Sequence, residues 1–193
     1  MVELCSIHFQ PEIDNENMVV NSLFADGAAA LIISSKKKLK NTHLPSLRLS
    51  GFHSKVIHAG GAMMTWHPSE KGFLMGLDSL VPQLIESNAR PLIAEAVDKF
   101  SIRKMDGLNW VVHPGGRKIL EAVQRGISLQ ADDLKESYIV LKNFGNMSSP
   151  SIFFVLKGML RKNQPWKKKE CIIAAGFGPG ITIETALLEP VIA

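Results

Sequence analysis

Apolar positions along the chain fall into short blocks whose spacing switches between strand and helix periods. Val2 to Phe9 is apolar and rich in strand formers, so a first strand is expected there, with a neighbour beside it rather than a free edge. The stretch holding Pro11, Asp14, Asn15 and Asn17 is a loop by composition. Val19 to Phe24 leads into the small-residue run Ala25–Ala30, and the end of the block, through Ile33, reads as a buried strand. Leu47 to Ile57 alternates loosely and predicts a strand near a sheet edge. Val81 to Phe100 has helical spacing with Pro82 in the first turn, and Pro91 is expected to kink or divide that helix. Leu108 to Val112 predicts a strand. Lys118 to Ile127 predicts a helix with Ile119, Leu120 and Val123 on one face. Asp132 to Leu141 predicts another, opened by acidic residues that suit its positive end. Ser151 to Arg161 is nearly all apolar and predicts a buried helix. Cys171 to Ala175 and Ile181 to Leu188 close the pattern as strands joined by a glycine-rich loop.

Strands and helices alternate without a repeat or a linker, so a single layered α/β domain is expected. The 193 residues suffice for one ordinary core, and 46% hydrophobic against 21% charged residues is a globular balance. No apolar run reaches the ~20 residues that span a bilayer, and Met1–Cys5 has no signal-peptide character. The expectation is therefore a cytoplasmic chain with no membrane partner. A net charge of +4 gathers at Lys36–Lys38 and Lys167–Lys169, the latter just after Pro165. These runs are short and carry no interleaved aromatics, which argues for solvated loops and against nucleic acid. Cys5 and Cys171 make neither a metal spacing nor a disulfide framework; both are expected to be free thiols, mostly buried, and no metal site is predicted.

Three turns carry candidate chemistry. His113 ends a strand and is followed by Pro-Gly-Gly, at the strand terminus where α/β sheets place ligand chemistry. Asn146 follows Gly145 in the segment Gly145-Asn-Met-Ser-Ser149, where its amide could donate to an oxyanion. Gly176-Phe-Gly-Pro-Gly180 follows a strand and leads into another, which argues against phosphate binding. A histidine and an asparagine presented from two turns are two members of a Cys-His-Asn acyl-transfer site. Taken singly they also fit a core histidine satisfied by a carbonyl and a helix-capping asparagine.

His113-Pro-Gly-Gly, Gly145-Asn-Met-Ser-Ser149 and Gly176-Phe-Gly-Pro-Gly-Ile-Thr-Ile-Glu184, with Phe24-Ala-Asp-Gly-Ala-Ala-Ala30 as a fourth block, resemble the type III polyketide synthases, the chalcone and stilbene synthase family. The blocks stand in the family's order, and the resemblance covers essentially the whole chain. It implies a thiolase-like layered α/β domain, a mixed sheet packed with helices, forming the C-terminal half of a condensing enzyme. The half that carries the nucleophilic cysteine is then a partner, and neither Cys5 nor Cys171 is expected to replace it, so the chain alone is expected to be inactive. The implied substrates are acyl-CoA and malonyl-CoA, with no metal or organic cofactor, and the whole enzyme is expected to be a homodimer.

Carried over residue by residue, the resemblance makes His113 the group that holds the cysteine as thiolate and, with Asn146, stabilises the thioester oxyanion and the malonyl-derived enolate. Phe24 matches a gate between the CoA tunnel and the reaction cavity. Glu3, Cys5 and His8 fall on a strand that lines the cavity, with Ser148 and Pro179 on other walls. Trp66 and Met75 depart from the plant pattern and look more like bacterial members that make alkylresorcinols or alkylpyrones. Arg117 and Lys118 are positioned to meet CoA phosphates. Two rivals stand beside this reading: a ketoacyl synthase III-like enzyme of fatty-acid synthesis, and a non-catalytic half that docks with a cysteine-bearing chain. Starter group, number of extensions and ring type are not legible.

Overall fold

The computed structural model describes residues 1–35, 46–70, 72–102, 107–162 and 170–191. The lysine triplets at 36–38 and 167–169, with Pro165, lie outside the described residues.

Leu108, Trp110 and their neighbours form β6 (Leu108–Val112), which pairs in parallel with β7 (Cys171–Gly178). The chain then reverses into β8 (Thr182–Pro190), antiparallel to β7, and β3 (Leu47–Val56) closes the far edge against β8. The order β3-β8-β7-β6 makes one mixed sheet. Side chains alternate between its faces. Trp110, Val112, Ile173 and Ile183 point toward one apolar cluster, whereas Val111, Ile172 and Leu188 point toward another. Because both faces are covered, the strands read as continuous apolar runs rather than alternating ones.

The first face is covered by α2 (Val81–Lys99) and α3 (Arg117–Ile127), which bring Ile85, Leu92, Leu120 and Val123 onto the sheet. The two helices approach closely at Gly126, where an added Cβ would stand 2.7 Å from the Glu86 carbonyl oxygen and 2.8 Å from the Ala89 side chain. Pro91 does not divide α2, which continues as one helix from Val81 to Lys99. The carbonyl that loses its partner there belongs to Ser87, on the exposed side of the helix, where water can satisfy it. The second face is covered by α4 (Lys135–Phe144) and α5 (Ser149–Lys162) through Val140, Val155 and Met159. α4 starts after the expected Asp132, because Asp133 instead caps a preceding turn by accepting the Gln130 N–H at 2.7 Å. α5 is not buried all round as expected: Ser151, Val155 and Met159, spaced by four, face inward while Lys157 and Arg161 are exposed.

The first 33 residues depart most from expectation. The strand expected over Val2–Phe9 is only β1 (Val2–Glu3), paired with β2 (Gly27–Ala28), and Cys5–His8 form a 3-10 turn. The cause is Asp26, whose carboxylate accepts from the Ser6 N–H at 2.7 Å and the Ser6 hydroxyl at 2.9 Å. Asp14, in the segment expected to be loop, is an N-cap: it accepts from the Asn17 N–H at 2.7 Å and starts α1 (Asn15–Leu23). Val19–Leu23 is therefore helical, and Ile32 and Ile33 are exposed rather than part of a buried strand. A hairpin that periodicity did not reveal, β4 (Met64–Ser69) with β5 (Gly72–Leu77), sits between the first segment and α2. No helix among the described residues is long and apolar enough to cross a membrane.

Candidate active site

β6 delivers His113 one residue beyond its end, where the His113 N–H still donates to the Ala175 carbonyl at 2.8 Å. The Pro114-Gly115-Gly116 turn then reverses the chain into α3, with Gly116 at a φ of 155° that a side chain would strain. Protein surrounds the imidazole on most sides, and this burial pushes its pKa down to about 4. The ring is accordingly neutral at pH 7.

Asn146 arrives from another direction. α4 stops at Gly145 (φ 71°), and the segment beyond it pairs with residues 23–25: the Asn146 N–H donates to the Leu23 carbonyl at 2.9 Å, and the Ala25 N–H donates to the Asn146 carbonyl at 2.9 Å. This pairing places Phe24 directly beside Asn146 in a parallel bridge. Close packing at Gly27, where a Cβ would lie 2.6 Å from the Met147 side chain, lets the two segments meet. The Asn146 side chain is 3% exposed. Its amide donates to the Gly115 carbonyl at 3.2 Å, and its Oδ1 accepts the Ser148 N–H at 2.9 Å. The histidine turn and the asparagine turn are thus joined by a direct bond. One amide N–H is used, and the other has no partner among the described residues.

These groups line one cavity of about 1140 Å³. His113, Asn146 and Phe24 line it together with Glu3, His8, Trp66, Met75, Ser148 and Pro179, and Arg117 and Lys118 stand at the start of α3 on its wall. Cys5, expected on a cavity-lining strand, is buried in the 3-10 turn Cys5–His8 and is not among the residues that line this cavity, whereas His8 of the same turn is. Arg117 is largely exposed and already bound to Glu121 at 2.8 Å, four residues along the same helix. Trp66 and Met75 are register partners on the hairpin, and Trp66 stacks on Phe73 with ring centres 4.5 Å apart. The His8 ring meets Trp66 edge-on at 5.3 Å. Both of its nitrogens are buried and have no partner among the described residues, and burial lowers its pKa. Glu3 accepts the Ser149 hydroxyl at 2.5 Å, tying β1 to the start of α5.

Walls that the sequence did not reveal come from Met63, Met64 and Leu77 around the hairpin and from Val81 and Ile85 of α2. The signal that could have found them is the pairing of 64–69 with 72–77, masked because neither strand alternates cleanly.

The chain holds two free thiols, Cys5 and Cys171. Burial, then Glu3 and Asp26, push the Cys5 thiol up, which keeps it protonated. Cys171 is also raised, by burial and then Glu189. It pairs with Leu108 at the opposite end of the strands from His113, roughly 16 Å away at 3.3 Å per residue. Among the described residues, no group of three or more His, Cys, Asp or Glu side chains could hold a metal ion.

Residues 51–192 match the family described as chalcone and stilbene synthases, C-terminal domain. Among solved structures, the chain is similar to PKS-I from the brown alga Ectocarpus siliculosus, with 26% identity and a TM-score of 0.85, covering 98% of this chain and 51% of that one. It is also similar in fold to the C-terminal type III polyketide synthase domain of Steely1, a type I/III hybrid from Dictyostelium, with 24% identity and a TM-score of 0.83, covering 99% of this chain and 53% of that one. The chain spans about half the length of these structures. Its mixed sheet between two helical layers is the thiolase-like fold of type III polyketide synthase C-terminal domains. The chain belongs to the chalcone and stilbene synthase family and carries its C-terminal domain.

Proposed function

We propose that this chain supplies the histidine–asparagine side of the condensing centre of a type III polyketide synthase, with the nucleophilic cysteine carried by a half that residues 1–193 do not contain. The observation that carries the reading is the meeting of His113, Asn146 and Phe24 on one large cavity, locked by the bond from the Asn146 amide to the Gly115 carbonyl.

The chemistry follows from the groups. The cysteine thiolate attacks an acyl-CoA thioester, the CoA thiolate leaves and takes a proton, and the acyl group stays on sulfur. Malonyl-CoA then loses carbon dioxide, and the enolate so formed attacks the acyl thioester and expels the cysteine. At each stage negative charge develops on a carbonyl oxygen. The neutral His113 N–H and the unused Asn146 N–H are the donors for it, each worth ~3–4 kcal/mol in the transition state. A thiolate brought beside His113 favours the imidazolium, so an ion pair forms only with the nucleophile in place.

The cavity exceeds the ~300–1,000 Å³ of ordinary ligand pockets. Its walls at Met64, Met75, Leu77, Val81 and Ile85 are apolar and in part flexible. This supports a long aliphatic acyl starter, as in bacterial members that make alkylresorcinols or alkylpyrones. Lys118, rather than the paired Arg117, is the better placed cation for CoA phosphate. The missing half is proposed to pack on the apolar side chains exposed over residues 2–33, and the complete enzyme to pair as a homodimer.

The test is CoA release from malonyl-CoA plus a long acyl-CoA, with mass spectrometry of products. Residues 1–193 alone are expected to be silent, and joining a cysteine-bearing half is expected to restore a pyrone or resorcinol product. In that joined enzyme His113→Ala should lower the rate by ~10²–10³. Product from residues 1–193 alone, or normal turnover by His113→Ala, overturns the reading.

A further inference from the structure

β6 is the edge of the sheet among the described residues, and backbone groups of successive strand residues point to opposite sides. The His113 N–H points toward β7, where it meets the Ala175 carbonyl, so the Val112 carbonyl points away from the sheet. Its donor is the Ser137 hydroxyl, from the first turn of α4, at 2.7 Å. Ser137 is fully buried. A helical serine commonly turns its hydroxyl back onto its own helix; this one instead reaches a strand 25 residues earlier. At its other end α4 runs directly into Gly145 and Asn146. One helix therefore holds the strand end that presents His113 and the turn that presents Asn146. Ser151 backs the second turn in the same way, its buried Oγ accepting the Met147 N–H at 2.7 Å.

We propose that Ser137 is a positioning residue for His113: its hydroxyl clamps the end of β6 to α4 and so sets where the imidazole stands relative to Asn146 at the cavity. The proposal rests on the reading of His113 and Asn146 as the condensing pair. Loss of the clamp leaves a buried carbonyl without a donor and frees the strand end, which admits water to the His113 ring. Burial is what depresses the titration of that ring, and the charged groups on the cavity wall are Glu3, Glu16, Asp78, Arg117 and Lys118.

The experiment is a pH titration of the histidine ring signals of the full 193-residue chain by NMR, with His113 identified from the signal that His113→Asn removes. Ser137→Ala is expected to raise the His113 midpoint by about half a pH unit or more, and Ser137→Thr, which keeps the hydroxyl, to return it to the wild-type value. Thr185→Val removes a different buried hydroxyl, one that donates to the His53 carbonyl at 3.0 Å on the far strands. It is expected to leave the His113 midpoint in place. Should Ser137→Ala not fold, Ser137→Cys keeps the shape with a much weaker donor and must shift the midpoint in the same direction. An unchanged midpoint in the folded Ala or Cys variant overturns the proposal, as does an equal shift from Thr185→Val. The titration needs no turnover, so failure of the condensing-pair reading shows separately, as activity that survives His113→Ala in the joined enzyme.

Discussion

The two regions that build the cavity are held together by different forces. Around the sheet, Val112, Leu120 and Ile173 are fully buried. In the first 33 residues Phe9, Ile13 and Ile32 keep 63%, 88% and 95% of their surface exposed. That first segment is fastened instead by directed polar bonds. Glu16 accepts the Leu77 N–H at 2.6 Å, Gln10 donates to the Phe73 carbonyl at 3.2 Å, and Ser149 donates to Glu3. The His113 side of the cavity therefore rests on a close-packed core, whereas the wall carrying His8, Glu3 and Phe24 rests on a few hydrogen bonds, each worth ~1 kcal/mol net. Similar apolar content yields different burial because the four-stranded sheet has helices on both faces.

The contrast can be broken or sharpened by substitution. Leu120→Ala empties a site at the centre of the core and is expected to cost about 2–5 kcal/mol, read from the denaturation midpoint. His113 comes next. Its pKa of about 4 lies below the ordinary 6.5, so between these values the unfolded chain takes the proton more readily. Its contribution is fully present above pH 6.5 and is lost as pH falls toward 4, by about 3 kcal/mol in all. In His113→Asn, stability is expected to be flatter over that window; an unchanged slope would mean that burial does not hold the ring neutral. Gly126→Ala should destabilise by about 1–3 kcal/mol despite the better helix propensity of alanine, since the Cβ has no room beside the Glu86 carbonyl. The smallest effect belongs to the first segment: Ile32→Ala should change stability by less than about 0.5 kcal/mol. A loss there as large as that of Leu120→Ala would erase the distinction between the regions.

Much of the sheet was legible. Leu108–Val112 and Cys171–Ala175 are apolar on both faces because both faces are covered, and an apolar run of that length between turn residues reads as a strand whatever surrounds it. His113 at a strand end was legible for the same local reason, whereas the expected glycine loop shrinks to residues 179–181, because Gly176, Phe177 and Gly178 continue β7 and pair with Glu184, Ile183 and Thr182 of β8. The first segment was not, because its conformation is decided by partners distant in sequence. Asp26 turns residues 5–8 out of the strand their composition favours. The hairpin at 64–77 escaped notice because Trp66 and Phe73 stack across strands rather than alternate within one.

Local sequence thus determined the strands of the four-stranded sheet and the identity of the two polar groups presented beyond β6 and α4, since those depend on spacing, side-chain volume and backbone freedom within a few residues. Only the tertiary structure decided that Asn146 bonds to Gly115, that Phe24 lies beside it, that Cys5 leaves the cavity wall, and that Ser137 stands behind Val112. Each of these depends on which buried donor finds which acceptor once the helices close over the sheet, and that choice is made by packing across the whole chain.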